Sequence, residues 1–120
     1  MPPDSTLPSR LVPTLVLVMP ESGLLDACLQ ATSALTPVPS VEVTDVKSAA
    51  TVVARWRPFA VLVSEEIFDF DPEEFRALAR DVGAELITIA PGDSYGVVSS
   101  ALLPRLTGAL AMWERRQAGG

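Results

Sequence analysis

A chain of 120 residues has the size of one domain, long enough for a continuous apolar core and too short for two. Apolar residues make up 48% and charged residues 20%, which excludes a disordered chain, and a net charge of −6 argues against a surface that binds nucleic-acid phosphates. With no histidine and a single cysteine, Cys28, the common zinc sites and an internal disulfide are excluded as well.

Residues 1–12 hold three prolines and no apolar period, and read as a flexible tail before a domain over 13–117, with a short tail at 118–120. The apolar stretch 11–19 is short, contains Pro13 and follows Asp4 instead of a basic segment. It therefore reads as a buried strand, not a signal or membrane segment, and the expected location is the cytoplasm. Within it, TLVLVM at 14–19 has the continuous apolar pattern of a strand covered on both faces of a parallel sheet. A helix is predicted over 22–35, where Leu25, Cys28, Leu29, Thr32 and Leu35 form one stripe at three- and four-residue spacings. On that stripe, with no histidine to activate it, Cys28 is a core residue.

TPVPS breaks the chain, and 41–46 then alternates as a half-buried edge strand does. Ser48 is placed to cap a helix reaching Trp56, with Ala49, Val52, Val53 and Trp56 on its apolar face, before Pro58 stops it. FAVLV at 59–63 predicts a second fully covered strand. An acidic loop follows, then a helix over 72–82 ended by Gly83, then a strand core at 86–89. Strands alternating with helices predict an α/β three-layer sandwich around a central parallel sheet, joined by right-handed crossovers. Competing readings exist for the C-terminal segment: one long helix over 94–117, or a fifth strand at 95–98 followed by a helix from Ala101. Pro104 selects the second, because proline deep in a helix costs about 3 kcal/mol and is tolerated in a first turn. Leu103, Leu106, Leu110 and Trp113 then face the sheet.

Residues 57–75, RPFAVLVSEEIFDFDPEEF, resemble the middle of a bacterial response-regulator receiver domain, in which a strand leads into an acidic loop and a helix entry. The resemblance extends in element order over about 14–116 and implies a receiver-like, flavodoxin-like fold. It also implies where the family's working residues belong, and the chain departs there. Met19 and Pro20 stand at the acidic pair, with Glu21 next; Ser64 stands at the phosphoacceptor aspartate, Ala90 at the switch hydroxyl, and Val98 or Ser99 near the lysine. Mg²⁺ needs oxygen ligands and an attacking carboxylate needs that metal, so aspartyl phosphotransfer is not expected. The chain reads as a pseudo-receiver with no catalytic residue, cofactor or metal. Only PGDS at 91–94 separates Ala90 from the expected fifth strand, where receivers carry a full helix. One sheet face is then left uncovered, and such apolar patches mark protein contacts, either with a second copy or with another chain.

Six acids, Glu65, Glu66, Asp69, Asp71, Glu73 and Glu74, fall within ten residues at the carboxyl end of a central strand, where open α/β sheets place ligands. Helix capping accounts for Asp71, Glu73 and Glu74. Two candidate sites remain: a pocket of Glu21, Ser64, Glu65, Glu66 and Ala90, and an interaction surface of Phe68, Asp69, Phe70, Tyr95, Leu106 and Leu110. The expected function is a phosphorylation-independent protein interaction module, in a bacterial signalling assembly or as a homodimer. The alternative is a small-molecule or metal-responsive switch using the pocket. Enzyme activity ranks third, since no nucleophile, base and oxyanion set can be assembled.

Overall fold

Two five-residue runs without a charged side chain, TLVLV at Thr14–Val18 (β1) and AVLVS at Ala60–Ser64 (β3), dictate the centre of the molecule. Every residue in both is buried, which is possible only in the middle of a sheet that has a layer on each face. The more polar strands Ser40–Thr44 (β2) and Glu85–Ile89 (β4) take the two edges. In the computed structural model, which describes residues 13–20, 23–35, 38–90 and 95–119, the strand order is β2-β1-β3-β4, all parallel. This is the α/β three-layer arrangement the sequence predicts, with the strand order of a flavodoxin-like sheet as far as its fourth strand.

Alternation along the strands sorts the core into two halves. Leu15, Leu17, Leu62 and Ile87 point to the face covered by helices Gly23–Ser33 (α1) and Tyr95–Gly119 (α5). Val16, Val18, Val61 and Val63 point to the face covered by Val46–Trp56 (α2) and Pro72–Val82 (α4). A one-turn helix, Glu65–Phe68 (α3), lies between β3 and α4, in the segment read as an acidic loop. The end signals of α4 act as the sequence predicts. Asp71 accepts from the Glu74 N–H at 3.3 Å, Pro72 takes the first position, and Gly83 closes the helix at φ 73°. The cap of α2 differs from the sequence reading: Asp45, not Ser48, is the N-cap, and its carboxylate accepts from the Ser48 N–H at 2.9 Å.

The C-terminal segment also differs. Residues 95–119 form one helix, so the expected strand at 95–98 is absent, and among the described residues the sheet ends at β4. Pro104 lies well inside α5, and two observations explain why it is tolerated. Pro104 and Ser100, whose carbonyl would have received the missing bond, are both exposed, so water can serve that carbonyl. On the opposite side Leu102, Leu106, Ala109 and Leu110 are buried against the sheet and α1, with Leu103 and Trp113 half-buried beside them. Both sheet faces are therefore covered by two helices each, and the expectation of an uncovered face does not hold. Two further contacts fix α5: Arg105 pairs with Glu85 at 3.4 Å, and Arg116 Nη2 donates to the Gly83 carbonyl at 2.8 Å.

Urea unfolding checks this account. Pro104→Ala should raise stability by about 2 kcal/mol by restoring a helical hydrogen bond, some of the gain being offset by a freer unfolded chain. Leu106→Ala should lower it by about 2–5 kcal/mol. A destabilising Pro104→Ala would place the proline outside a helix interior.

Candidate functional site

In a parallel sheet all strand exits lie at one end, and here the chain leaves β1 towards the α1 face and leaves β3 towards the α4 face. A crevice forms where adjacent strands diverge in this way. A cavity of about 390 Å³ lies at that end, within the range of small-ligand pockets. Met19 and Pro20 line it from the exit of β1, residues 43–46 from β2 and the start of α2, and Ser64, Glu66 and Ile67 from β3 and α3. Its walls are apolar at Met19, Val43, Val46 and Ile67, and among the described residues its charged lining residues are Asp45 and Glu66. One Asp45 carboxylate oxygen is engaged by the α2 cap.

Ser64 is the unusual member. It is only 3% exposed, it occupies the N-cap position of α3, and yet its hydroxyl caps nothing and has no hydrogen-bond partner among the described residues. Buried hydroxyls are nearly always paired, so an orphan requires an explanation. Alternation puts the Ser64 side chain on the same sheet face as Leu62, and Met19 and Val43 on the same face as Leu17, the β1 residue that lies between Val43 and Leu62 in register. Ser64 thus shares its face with two walls of the cavity it lines.

The structure divides the sequence-predicted residues. Ser64 and Glu66, the latter exposed, line the cavity, whereas Glu65, also exposed, and the half-buried Ala90 do not. Glu21 and the side chain of Tyr95 lie outside the described residues. Leu106 and Leu110, expected on an interaction surface, are 0% and 3% exposed and belong to the core. Phe68 is half-buried, with its ring 6.2 Å from that of Phe75 and the Arg76 guanidinium 5.4 Å above it. Asp69 is exposed, and Phe70 is 86% exposed. The Phe70 N–H donates to the carbonyl of Ile67 at 3.2 Å, which ties its backbone to that of a residue in the cavity wall.

The six acids do not gather into one site. Asp71 caps α4, Glu73 pairs with Arg76, and among the described residues no three potential metal-ligating side chains converge. Cys28 is fully buried, and burial pushes its thiol from 9.0 up to about 11, which makes it a poor nucleophile. No helix among the described residues is long and apolar enough to cross a membrane. Sequence reading missed the contribution of residues 43–46. The signal available was Asp45 three residues before Ser48, an N-cap spacing that ends the strand at Thr44 and brings α2 to the cavity. Comparison of the chain with protein-family models, curated proteins and solved structures gives no match.

Two measurements follow from these burial patterns. Ser64→Ala should leave stability unchanged or raise it by up to about 1 kcal/mol, because it removes an unpaired buried hydroxyl. For Cys28, a raised thiol pKa means the folded state holds its proton more tightly than the unfolded one. Its contribution is therefore full below pH 9.0 and declines as the pH rises towards about 11. Cys28→Ala should flatten that alkaline decline, and an identical pH profile in the variant would refute this assignment.

Proposed function

We propose that this chain is a phosphorylation-independent interaction module, a receiver-like domain that docks another protein at the carboxyl end of its sheet and catalyses no reaction. The observation that carries this reading is Phe70, a large aromatic ring left 86% exposed, three residues along the chain from Ile67 in the wall of an apolar cavity. Val43 and Val46, both about half exposed, continue the apolar surface into that cavity. Aromatic and aliphatic groups clustered round a depression are what interface centres are made of, and the acids round them supply a polar rim. Asp45, Glu66 and Asp69 give the rim a negative sign, which favours a basic partner and disfavours a second copy of this acidic chain.

Residue chemistry supports a non-catalytic role. Ser64 stands where the receiver resemblance places the phosphoacceptor, and a serine hydroxyl attacks only when a base is within hydrogen-bond reach. The Ser64 hydroxyl has no such partner among the described residues. Met19 and Pro20, at the positions of the acidic pair, offer no carboxylate to Mg²⁺. By the same resemblance, the setting we propose is a signalling assembly in a bacterial cytoplasm. A small-molecule switch at the same cavity is the second reading, and the cavity volume favours it.

Selection of a random-peptide display library against the immobilised chain tests the docking reading. Enriched peptides should combine Arg or Lys with large apolar residues, and their amide shifts should map to residues 43–46 and 64–70. Phe70→Ala should weaken such binding about tenfold, as loss of an interface anchor does, while changing stability by less than about 0.5 kcal/mol. No enrichment, or enrichment of peptides that bind elsewhere on the fold, would overturn the proposal.

A further inference from the structure

The described charges are sorted by the two ends of the sheet. A helix that follows a strand of a parallel sheet starts at the carboxyl end and finishes at the amino end. Asp45, Glu65, Glu66 and Asp69 stand at the carboxyl end. Arg55, Arg57 and Arg80 stand at the amino end, where α2 and α4 finish side by side on one face. Cations suit the negative ends of helix dipoles, which accounts for Arg55 and Arg80, each in a last turn.

Residues 56 and 57 go beyond that account. The sequence puts Trp56 on the apolar face of α2, yet the structure leaves it 42% exposed, while Ala49 and Val53 of the same helix are buried. The Arg55 guanidinium lies 5.7 Å from the Trp56 ring centroid. Arg57 then closes α2 at φ 47°, the left-handed cap that α4 makes with Gly83 at φ 73°. A residue with a Cβ adopts that conformation at a cost that glycine avoids, and the helix dipole calls for a cation near this end without requiring one on a left-handed backbone. The acids at this end among the described residues, Asp81, Glu85 and Glu114, lie on α4, β4 and α5, and Glu85 is paired with Arg105.

We propose that Trp56, Arg55 and Arg57 form a second docking surface, at the end of the molecule opposite the cavity, for an acidic segment of a partner protein that carries an apolar side chain. Tryptophan and arginine dominate the energetics of protein interfaces. The indole supplies the apolar centre, the two guanidiniums present planar forks that match carboxylates, and Arg80 extends the positive field. Charge complementarity selects the acidic partner at this end as it selects a basic one at the other. A nucleic acid is disfavoured because the chain as a whole carries a net charge of −6.

Isotope-labelled full chain is titrated with three short acetylated peptides, each a pair of leucines flanked by glutamates, by glutamines or by lysines. The glutamate peptide should shift the amides of residues 53–57 and the Trp56 indole N–H. It should bind about tenfold more tightly than the glutamine peptide, as loss of charge-assisted hydrogen bonds implies, and weaken as salt rises. Arg57→Gly should move two readouts in opposite directions: a higher urea midpoint, because glycine takes the left-handed cap without cost, and about tenfold weaker binding of the glutamate peptide. An arginine with a structural role alone would change only the first. Equal binding of the glutamate and glutamine peptides, shifts elsewhere, no shifts, or an Arg57→Gly variant that binds as the parent does would refute the inference. Tighter binding of a single-stranded oligonucleotide would refute it too, as would a molar mass that grows with concentration in the parent and not in Arg57→Gly, which would make the occupant a second copy. None of these outcomes touches docking at the carboxyl end, which is read at residues 43–46 and 64–70.

Discussion

Burial of β1 and β3 on both faces is the constraint from which the rest of the molecule follows. Strands this apolar satisfy their backbone groups only between other strands, and satisfy their side chains only beneath two helical layers. The sheet must then be parallel and its connections must be crossovers, α1 on one face and α2 with α4 on the other. That division of the connections opens the crevice between the exits of β1 and β3. The cavity is thus a by-product of how the core is covered, and its apolar lining is continuous with the edges of that core.

The last helix shows how competing terms are decided in this fold. A proline inside α5 costs about 3 kcal/mol in isolation. Leu102 and Leu106 alone, buried on the opposite side of the same helix, each contribute about 1.5–3 kcal/mol of apolar transfer. Burial wins because the proline ring and the carbonyl it deprives both face water. A fifth strand at 95–98 would have shortened this helix at its start without moving Leu102, Leu106 or Leu110, so those leucines fit either arrangement, and it is the helical backbone from Tyr95 onwards that excludes the longer sheet.

What was legible in the sequence was local. Continuous apolar runs located β1 and β3, and the Asp-Pro entry and glycine exit of α4 gave that helix its bounds. The proline rule misled at Pro104 because it weighs the residue without knowing which side of the helix is wet, and that is fixed only by packing. Leu106 and Leu110 lie against the sheet as their spacing predicts, and they form no contact surface because that face of the sheet is covered by their own helix and α1. Glu66 and Glu65 are neighbours of the same type and both are exposed, and a one-turn helix brings only Glu66 to the cavity wall. No periodicity in four residues could separate them. Residues 43–46 join the cavity through strand pairing, a long-range fact that no local pattern records.

The contact between Arg116 and the Gly83 carbonyl joins regions of the molecule that the sheet otherwise separates. Gly83 ends α4, on one face, and Arg116 belongs to the last turns of α5, on the other. A side chain at Gly83 would bring its Cβ within 2.9 Å of the Arg116 Nη1, so this approach depends on a residue with no side chain as well as on the turn it makes at positive φ. The tie passes round the amino end of β4, one of the two edge strands among the described residues. Opening of either helical layer there must break the same hydrogen bond, so the two layers are linked round an edge of the sheet as well as through its core.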